Sequence, residues 1–333
     1  MQYGFHQSRT RAKKINLKIH GTGQGLVKMI FENPYYKATP SNNCPNLFCE
    51  DPLPGLDDVG DQDIIIFEPW EADIPGPVMN NGKTVIDTIT EKLQHINKDK
   101  VTFITANLDL KNVPFASTVK HYPFHFLEIQ RKQKSIAGVK YHRNKHFCSF
   151  NGAIKYKRIE FVNFCKENFL LDKGYVSLVG NYDHGYHTQK YEYENLYIDK
   201  TAEELKQDDK SVPIKIYEDS YLNIINETHE EEHVFFTEKT WKPILNCQMF
   251  LYYGVGDKSK YYKHLQNLGF ELYTEFFDYE NDTLDELQKF CQLDLKTISE
   301  KLASIFRKVL HNKNHAMNID VDKVKEELGV KNI

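Results

Sequence analysis

The run Tyr221-Leu222-Asn223-Ile224-Ile225 is followed by Asn226-Glu227-Thr228 and an acidic loop. Then come Phe235-Phe236-Thr237-Glu238-Lys239-Thr240-Trp241-Lys242-Pro243 and Met249-Phe250-Leu251-Tyr252-Tyr253-Gly254. Short, nearly continuous apolar runs on either side of a helical stretch are the pattern of a β-α-β unit, because parallel strands are buried on both faces. Thr237 suits the N-cap of the helix, which places Glu238 and Lys239 in its first turn. Ligands of open α/β sheets bind outside the carboxyl ends of the strands, where the loop after Ile225 falls. This one stretch therefore predicts both a parallel sheet and the place of its site.

The alternation extends in both directions. Residues 147–150 and 175–180 read as strands with a helix at 157–169 between them, and a further helix covers 258–268. The tail, 284–328, is helical, with an apolar stripe of Ile298, Leu302, Ile305 and Phe306 that suits packing back across the other half. In the first half, strands at 15–20, 63–67 and 101–106 flank a helix at 84–96 whose Val85, Ile86, Ile89, Leu93 and Ile96 share a face. Gly21-Thr22-Gly23-Gln24-Gly25 departs from the dinucleotide fingerprint and reads as a tight strand-to-helix turn. With 333 residues the chain suits two domains. The expected class is α/β: two Rossmann-like domains, 1–143 and 144–312, facing a central cleft, with a helical tail at 313–333. The basic stretch 130–145 is the expected connection between them.

Composition narrows the function. A net charge of −4 gives no global basic field of the kind that drives duplex DNA binding. No apolar run approaches the roughly 20 residues of a membrane span, and residues 1–14 lack a signal peptide's apolar core. The scattered cysteines include no CxxC pair, which fits a reducing compartment. The expectation is a soluble cytoplasmic protein, in the host cytoplasm if the source is viral.

A nucleotide-sugar transferase must hold a diphosphate whose charge grows as the sugar departs. Without a metal, fixed cations and helix N-terminal amides do that work. Lys239 or Arg158 can meet phosphate, and a first-turn carboxylate can grip sugar or ribose hydroxyls. The plainer alternative is a capped surface helix with an i to i+4 pair, Glu238 to Lys242.

Phe147-Cys148-Ser149-Phe150, Arg158 with Ile159-Glu160-Phe161, Asn226-Glu227-Thr228, Phe236-Thr237-Glu238-Lys239 and residues 249–254 resemble, in order, the C-terminal domain of the α1,3/4-fucosyltransferase family. The likeness covers residues 147–254. It implies a GT-B fold and a metal-independent, inverting glycosyltransferase, with Arg158 and Lys239 on the donor phosphates and Glu238 on donor hydroxyls. Asn226, Glu227, Thr237 and Tyr253 fall within the same motifs and join the expected donor site. The chain departs from the pattern in lacking Ser-Asn-Pro before Arg158, in the order Asn226-Glu227, and in Lys242-Pro243. That last extension is similar to uncharacterised proteins of large-genome phages and viruses.

An inverting transfer needs a base for the acceptor hydroxyl. Glu68 and Glu71, at the carboxyl end of the 63–67 strand, are the candidates, with an ordinary loop carboxylate as the alternative. Asp61-Gln62-Asp63 and Asp320-Val321-Asp322 resemble metal-binding DxD pairs but sit where helix caps or turns belong. Cys44 with Cys49, His142 with His146, and His184 with His187 lack further ligands at workable spacing. No cofactor and no metal are expected, and no GxxxxGK loop or GxSxG elbow is present. The expected partners are a nucleotide-sugar and a glycan or small-molecule acceptor. DNA bases are the alternative acceptor, read by a cleft of Lys132, Lys134, Lys140, Arg143 and Lys145. A non-catalytic nucleotide-sugar or carbohydrate-binding protein is the alternative from another class.

Overall fold

The computed structural model describes residues 17–21, 63–68, 85–123, 140–151, 154–179, 193–197, 214–227, 234 and 236–328. They form an α/β protein with two separate four-stranded parallel sheets, compatible with a Rossmann-like class. The first sheet runs β1 (Leu17–Gly21), β2 (Asp63–Glu68), β3 (Val101–Thr105) and β4 (Thr118–His121), in that spatial order. Helix α1 (Val85–Leu93) follows β2, and its Ile89 and Leu93 bury against Val101 and Phe103. Phe103 meets Phe115 edge to face at 5.3 Å. Strand order never reverses within this sheet, so it contains no switch point of its own.

The second sheet is ordered β6-β5-β7-β8, with β5 (Lys145–Asn151), β6 (Gly174–Leu178), β7 (Ser220–Ile225) and β8 (Met249–Tyr252). Every residue of β7 and β8 is buried, as strands covered on both faces require. The chain leaves β5 through α2 (Tyr156–Glu167) to reach β6, then returns past β5 through α3 (Ile214–Asp219) to β7, and through α4 (Glu238–Leu245) to β8. Right-handed crossovers in opposite directions put their helices on opposite faces. The contacts agree: Phe147 meets Phe161 of α2 on one face, and Phe150 meets Tyr217 of α3 on the other. The reversal makes a switch point between β5 and β7.

Five helices follow β8: α5 (Lys258–Asn267), α6 (Thr283–Gln292), α7 (Leu295–Ser304), α8 (Phe306–Met317) and α9 (Val321–Glu327). The expected single helical tail is thus broken into pieces. Asp257, Asp282, Asp294 and Asp320 each accept first-turn amides, which starts α5, α6, α7 and α9. Asp320 is a cap, as one of its sequence readings proposed. Helix α8 runs unbroken through residues 312 and 313, so the expected tail boundary falls inside a helix. It does not cross to the other sheet: Val309 and Ala316 join the second core, and Asn312 is buried against Glu271 and Tyr273. Beyond it, Lys120 Nζ of the first sheet donates to the carbonyl of Glu327.

Arg143 corrects the expectation of a solvated basic connection. Its guanidinium is buried and donates to the carbonyls of Lys140, Tyr217, Ser220, Asn246 and Cys247. These carbonyls include the C-terminal ends of α3 and α4, where a cation is favoured. Burial lowers its pKa from the usual arginine value, yet a guanidinium keeps its charge. Lys140 pairs with Glu218 at 2.9 Å, and Lys145 lies over the Tyr175 ring. Of these three basic residues only Arg143 is withdrawn from the surface, Lys140 and Lys145 keeping part of their surface exposed; Lys132 and Lys134 lie outside the described residues.

Helix α2 ends in a Schellman motif, with Leu170 N–H on Cys165 O and Phe169 N–H on Lys166 O. Phe169 holds the left-handed position at φ 55° with 86% of its surface exposed. Replacing Phe169 by Gly removes that strain and little buried area, and should stabilise the protein by about 1 kcal/mol. Arg143→Met should instead cost about 3 kcal/mol or more, because several buried carbonyls lose their donor. Urea midpoints moving up for the first variant and down for the second are the expected outcome.

Candidate functional site

The site is built at the carboxyl edge of the second sheet. Glu227 leaves the end of β7 toward α4, and its buried carboxylate accepts three hydrogen bonds. These come from the Thr237 amide (3.2 Å), the Thr237 hydroxyl (2.5 Å) and the Thr240 hydroxyl (2.9 Å). Thr237 Oγ1 in turn caps Lys239 N–H at 3.2 Å, as expected of the N-cap. Thr240 shares its hydroxyl with Tyr261 at 2.7 Å. Burial first, then the Glu227 charge, pushes the Tyr261 phenol well above its ordinary value, so it stays neutral. Glu227 was expected to touch the donor; in the structure its oxygens position the start of α4.

Helix α4 is no surface helix. Its residues Thr240 to Leu245 are all buried, with Trp241 packed on Phe236 and Phe270. The supposed Glu238–Lys242 pair is absent: Lys242 is buried, and Glu238 instead meets Lys239 at 2.8 Å. Lys239 and Glu238 keep 20% and 15% of their side chains exposed. They form a half-buried, zwitterionic rim on the first turn. Tyr217, on the same face, has its phenol raised by burial, then by Cys148 and Glu238.

Arg158 enters from the opposite face. It lies in the first turn of α2, is buried, and its Nη2 donates to the backbone carbonyl of Asn226 at 3.2 Å. Helix α2 has no side-chain cap, and the residue at its N-cap is Lys155, only 5% exposed. Two helix N-termini thus flank one strand edge, each carrying basic groups. A cation there opposes the positive end of the helix dipole, a placement that an anion between them would offset.

Tyr253 follows β8, with its ring against Phe161 and Lys157. Its hydroxyl is buried beside Glu160 without a well-formed hydrogen bond, and burial followed by that carboxylate raises its pKa. Asn226 Nδ2 is likewise buried without a partner. Sequence reasoning missed two residues here. Lys155 carried no motif, and Asn151, at the end of β5, became meaningful only through strand order.

The first-half candidates are less fully placed. Glu68 ends β2, in register with Thr105 of β3, at the carboxyl edge of its sheet. Glu71 lies outside the described residues, as do Thr228, Cys44, Cys49, His184 and His187. Just past β3, Asp109 joins the halves: its carboxylate accepts Val234 N–H at 3.1 Å and stands 3.5 Å from His264. His142 and His146 do not form a pair. His142 contacts Ser299, and His146 contacts the Leu293 carbonyl. Among the described residues no cluster of three or more His, Cys, Asp or Glu could hold a metal ion, and no helix is long and apolar enough to cross a membrane. An open cavity of about 580 Å³ lined by Tyr141, His142 and Ser299 lies at the opposite, amino end of β5.

Compared with protein-family models, curated proteins and solved structures, the chain gives no match to any of the three.

Glu227→Gln removes the charge that strengthens all three hydrogen bonds and forces the Thr237 hydroxyl to accept from an NH2 instead of donating to an oxygen. We expect a loss of about 1–3 kcal/mol in unfolding free energy, measured by urea titration. Faster deuterium uptake at the amides of Thr237 and Lys239 than elsewhere in the core would locate the effect.

Proposed function

We propose that the chain is a metal-independent, inverting glycosyltransferase of GT-B type, moving a sugar from a nucleotide-sugar donor to a hydroxyl of a glycan or small acceptor. The observation that carries this reading is the approach of two first-turn cations, Arg158 and Lys239, to one parallel-strand edge from opposite faces, at the switch point. A diphosphate seated there meets two cations and two helix N-termini, which is the environment its growing charge needs. Glu238 then faces sugar hydroxyls, and Lys239 exchanges part of its pairing with Glu238 for phosphate. Asn226 and Tyr253 complete the wall, and Thr237 and Glu227 hold the helix start in place.

The acceptor side belongs to the first sheet, across a cleft whose halves Asp109 ties together. Glu68 or Glu71 takes the proton of the acceptor hydroxyl. The acceptor oxygen bonds to the anomeric carbon on the face opposite the departing group. As the carbon–oxygen bond to phosphate breaks, its electron pair leaves with the nucleoside diphosphate. The resemblance of residues 147–254 to the fucosyltransferase donor domain supports the same assignment.

Isothermal titration with UDP-, GDP-, CMP- and dTDP-sugars tests this, each in EDTA. One donor should bind in chelator, and its slow hydrolysis should persist there. Activity lost in EDTA and restored by manganese would contradict the metal-free reading. Lys239→Ala should weaken that donor about ten- to a hundredfold, through loss of a charge-assisted contact of about 1.5–3 kcal/mol. Its stability should fall by no more than about 1 kcal/mol, since the Glu238 ion pair it loses is partly exposed. Unchanged affinity would take Lys239 out of the site.

A further inference from the structure

Three polar side chains at the sheet edge stand in one row. Cys148 is in register with Asn223, and Ile225 with Tyr252. Continuing both pairings brings Asn151, Asn226 and Tyr253 level across three neighbouring strands. Beyond the paired residues, Ser149 Oγ donates to the Ile224 carbonyl at 3.3 Å between β5 and β7, and Tyr253 N–H donates to Ile225 O between β7 and β8, both in keeping with that register. In-register residues of parallel strands project to one face, and here that face is covered by α2, with Tyr253 on Phe161. Adjacent strands lie about 4.8 Å apart, so the whole row fits beneath one small ligand.

Two members of the row hold a buried polar atom with no hydrogen-bond partner, Asn151 Oδ1 and Asn226 Nδ2, and the buried Tyr253 Oη faces Glu160 without a well-formed hydrogen bond. Such atoms are costly to leave unpaired. The Asn151 amide is not free to turn. Its Nδ2 donates to the Ser177 carbonyl at 3.0 Å and to Ser149 Oγ at 3.3 Å, which fixes Oδ1 as the unmatched acceptor. Although Asn226 Nδ2 is an unmatched donor in the next strand, the two do not bond to each other. The row therefore presents an acceptor beside a donor. Phosphate oxygens can answer the donor but bring no hydrogen for Asn151.

We propose that Asn151 is a specificity-determining residue that accepts a hydrogen bond from an uncharged donor group of the nucleoside, a ribose hydroxyl or a base N–H, while Asn226 donates to an oxygen beside it. This rests on the nucleotide-sugar reading and deepens it. Phosphate is left to Arg158 and Lys239, and recognition of the nucleoside falls to the row.

Titration of the full chain with UDP, GDP, their 2′,3′-dideoxy analogues and inorganic pyrophosphate separates the parts. Wild type should bind UDP or GDP, and Asn151→Leu should weaken that nucleotide at least tenfold while pyrophosphate affinity stays within twofold. Asn226→Leu, which breaks no side-chain hydrogen bond, should show the same contrast and covers the case in which Asn151→Leu fails to fold. A dideoxy analogue that binds wild type as weakly as Asn151→Leu binds the parent nucleotide assigns the contact to ribose; one that binds wild type normally assigns it to the base. Both variants binding UDP and GDP like wild type, or losing pyrophosphate in the same proportion, would overturn the role of the row alone. Wild type binding none of these probes, and neither CMP nor dTDP, would overturn the nucleotide reading itself.

Discussion

Everything at the carboxyl edge depends on the buried Glu227 carboxylate. It is the first side chain to leave β7 toward α4, and by gathering Thr237 and Thr240 it fixes where that helix begins. That clasp joins the first turn of α4, which carries Glu238 and Lys239, directly to the end of β7. Burying a carboxylate is expensive unless its oxygens are matched. Here the matching donors are the very groups that start the helix, so satisfying the charge and positioning the site are one event.

The amino end of the sheet is held by the opposite charge. Arg143 gathers the carbonyl ends of α3 and α4, so α4 is pinned by a carboxylate at its positive end and a guanidinium at its negative end. Both ends obey the helix dipole. The consequence for function is rigidity: a short helix carrying Pro243 in its interior is held firmly enough to present a first-turn cation. Beside the carboxylate anchor, at the carboxyl edge, lies the row with the unmatched polar atoms of Asn151 and Asn226.

Much of this was legible in the sequence. The strands of the second sheet stand within a residue or two of their expected limits because continuous apolar runs such as Leu222 to Ile225 have no other economical use. The Thr237 cap was readable from its chemistry. Helix ends were less so: Gly269, at φ 92°, marks the stop of α5 openly, whereas Phe169 and Cys247 occupy the same left-handed position without glycine's signal. Helix starts were announced by Asp282, Asp294 and Asp320, whereas the break at Ile305 falls within the apolar stripe and has no side-chain cap to mark it. Arg143 looked like a linker charge because its carbonyl partners lie 74 to 104 residues away. Asn151 was invisible for a related reason: a lone asparagine acquires meaning only when strand order places it beside Asn226. Glu227, read from its motif as a ligand contact, is seen to hold the start of α4, a role its motif did not announce.

The central claim is that a nucleoside diphosphate sits at the switch point between β5 and β7. A crystal structure of the protein soaked with the nucleotide that binds most tightly tests it directly. The account predicts diphosphate density between Arg158 and Lys239, with the nucleoside over Asn151 and Asn226. Density at the first sheet, or in the cavity beside His142 and Ser299, with the β5–β7 edge left empty, would contradict it.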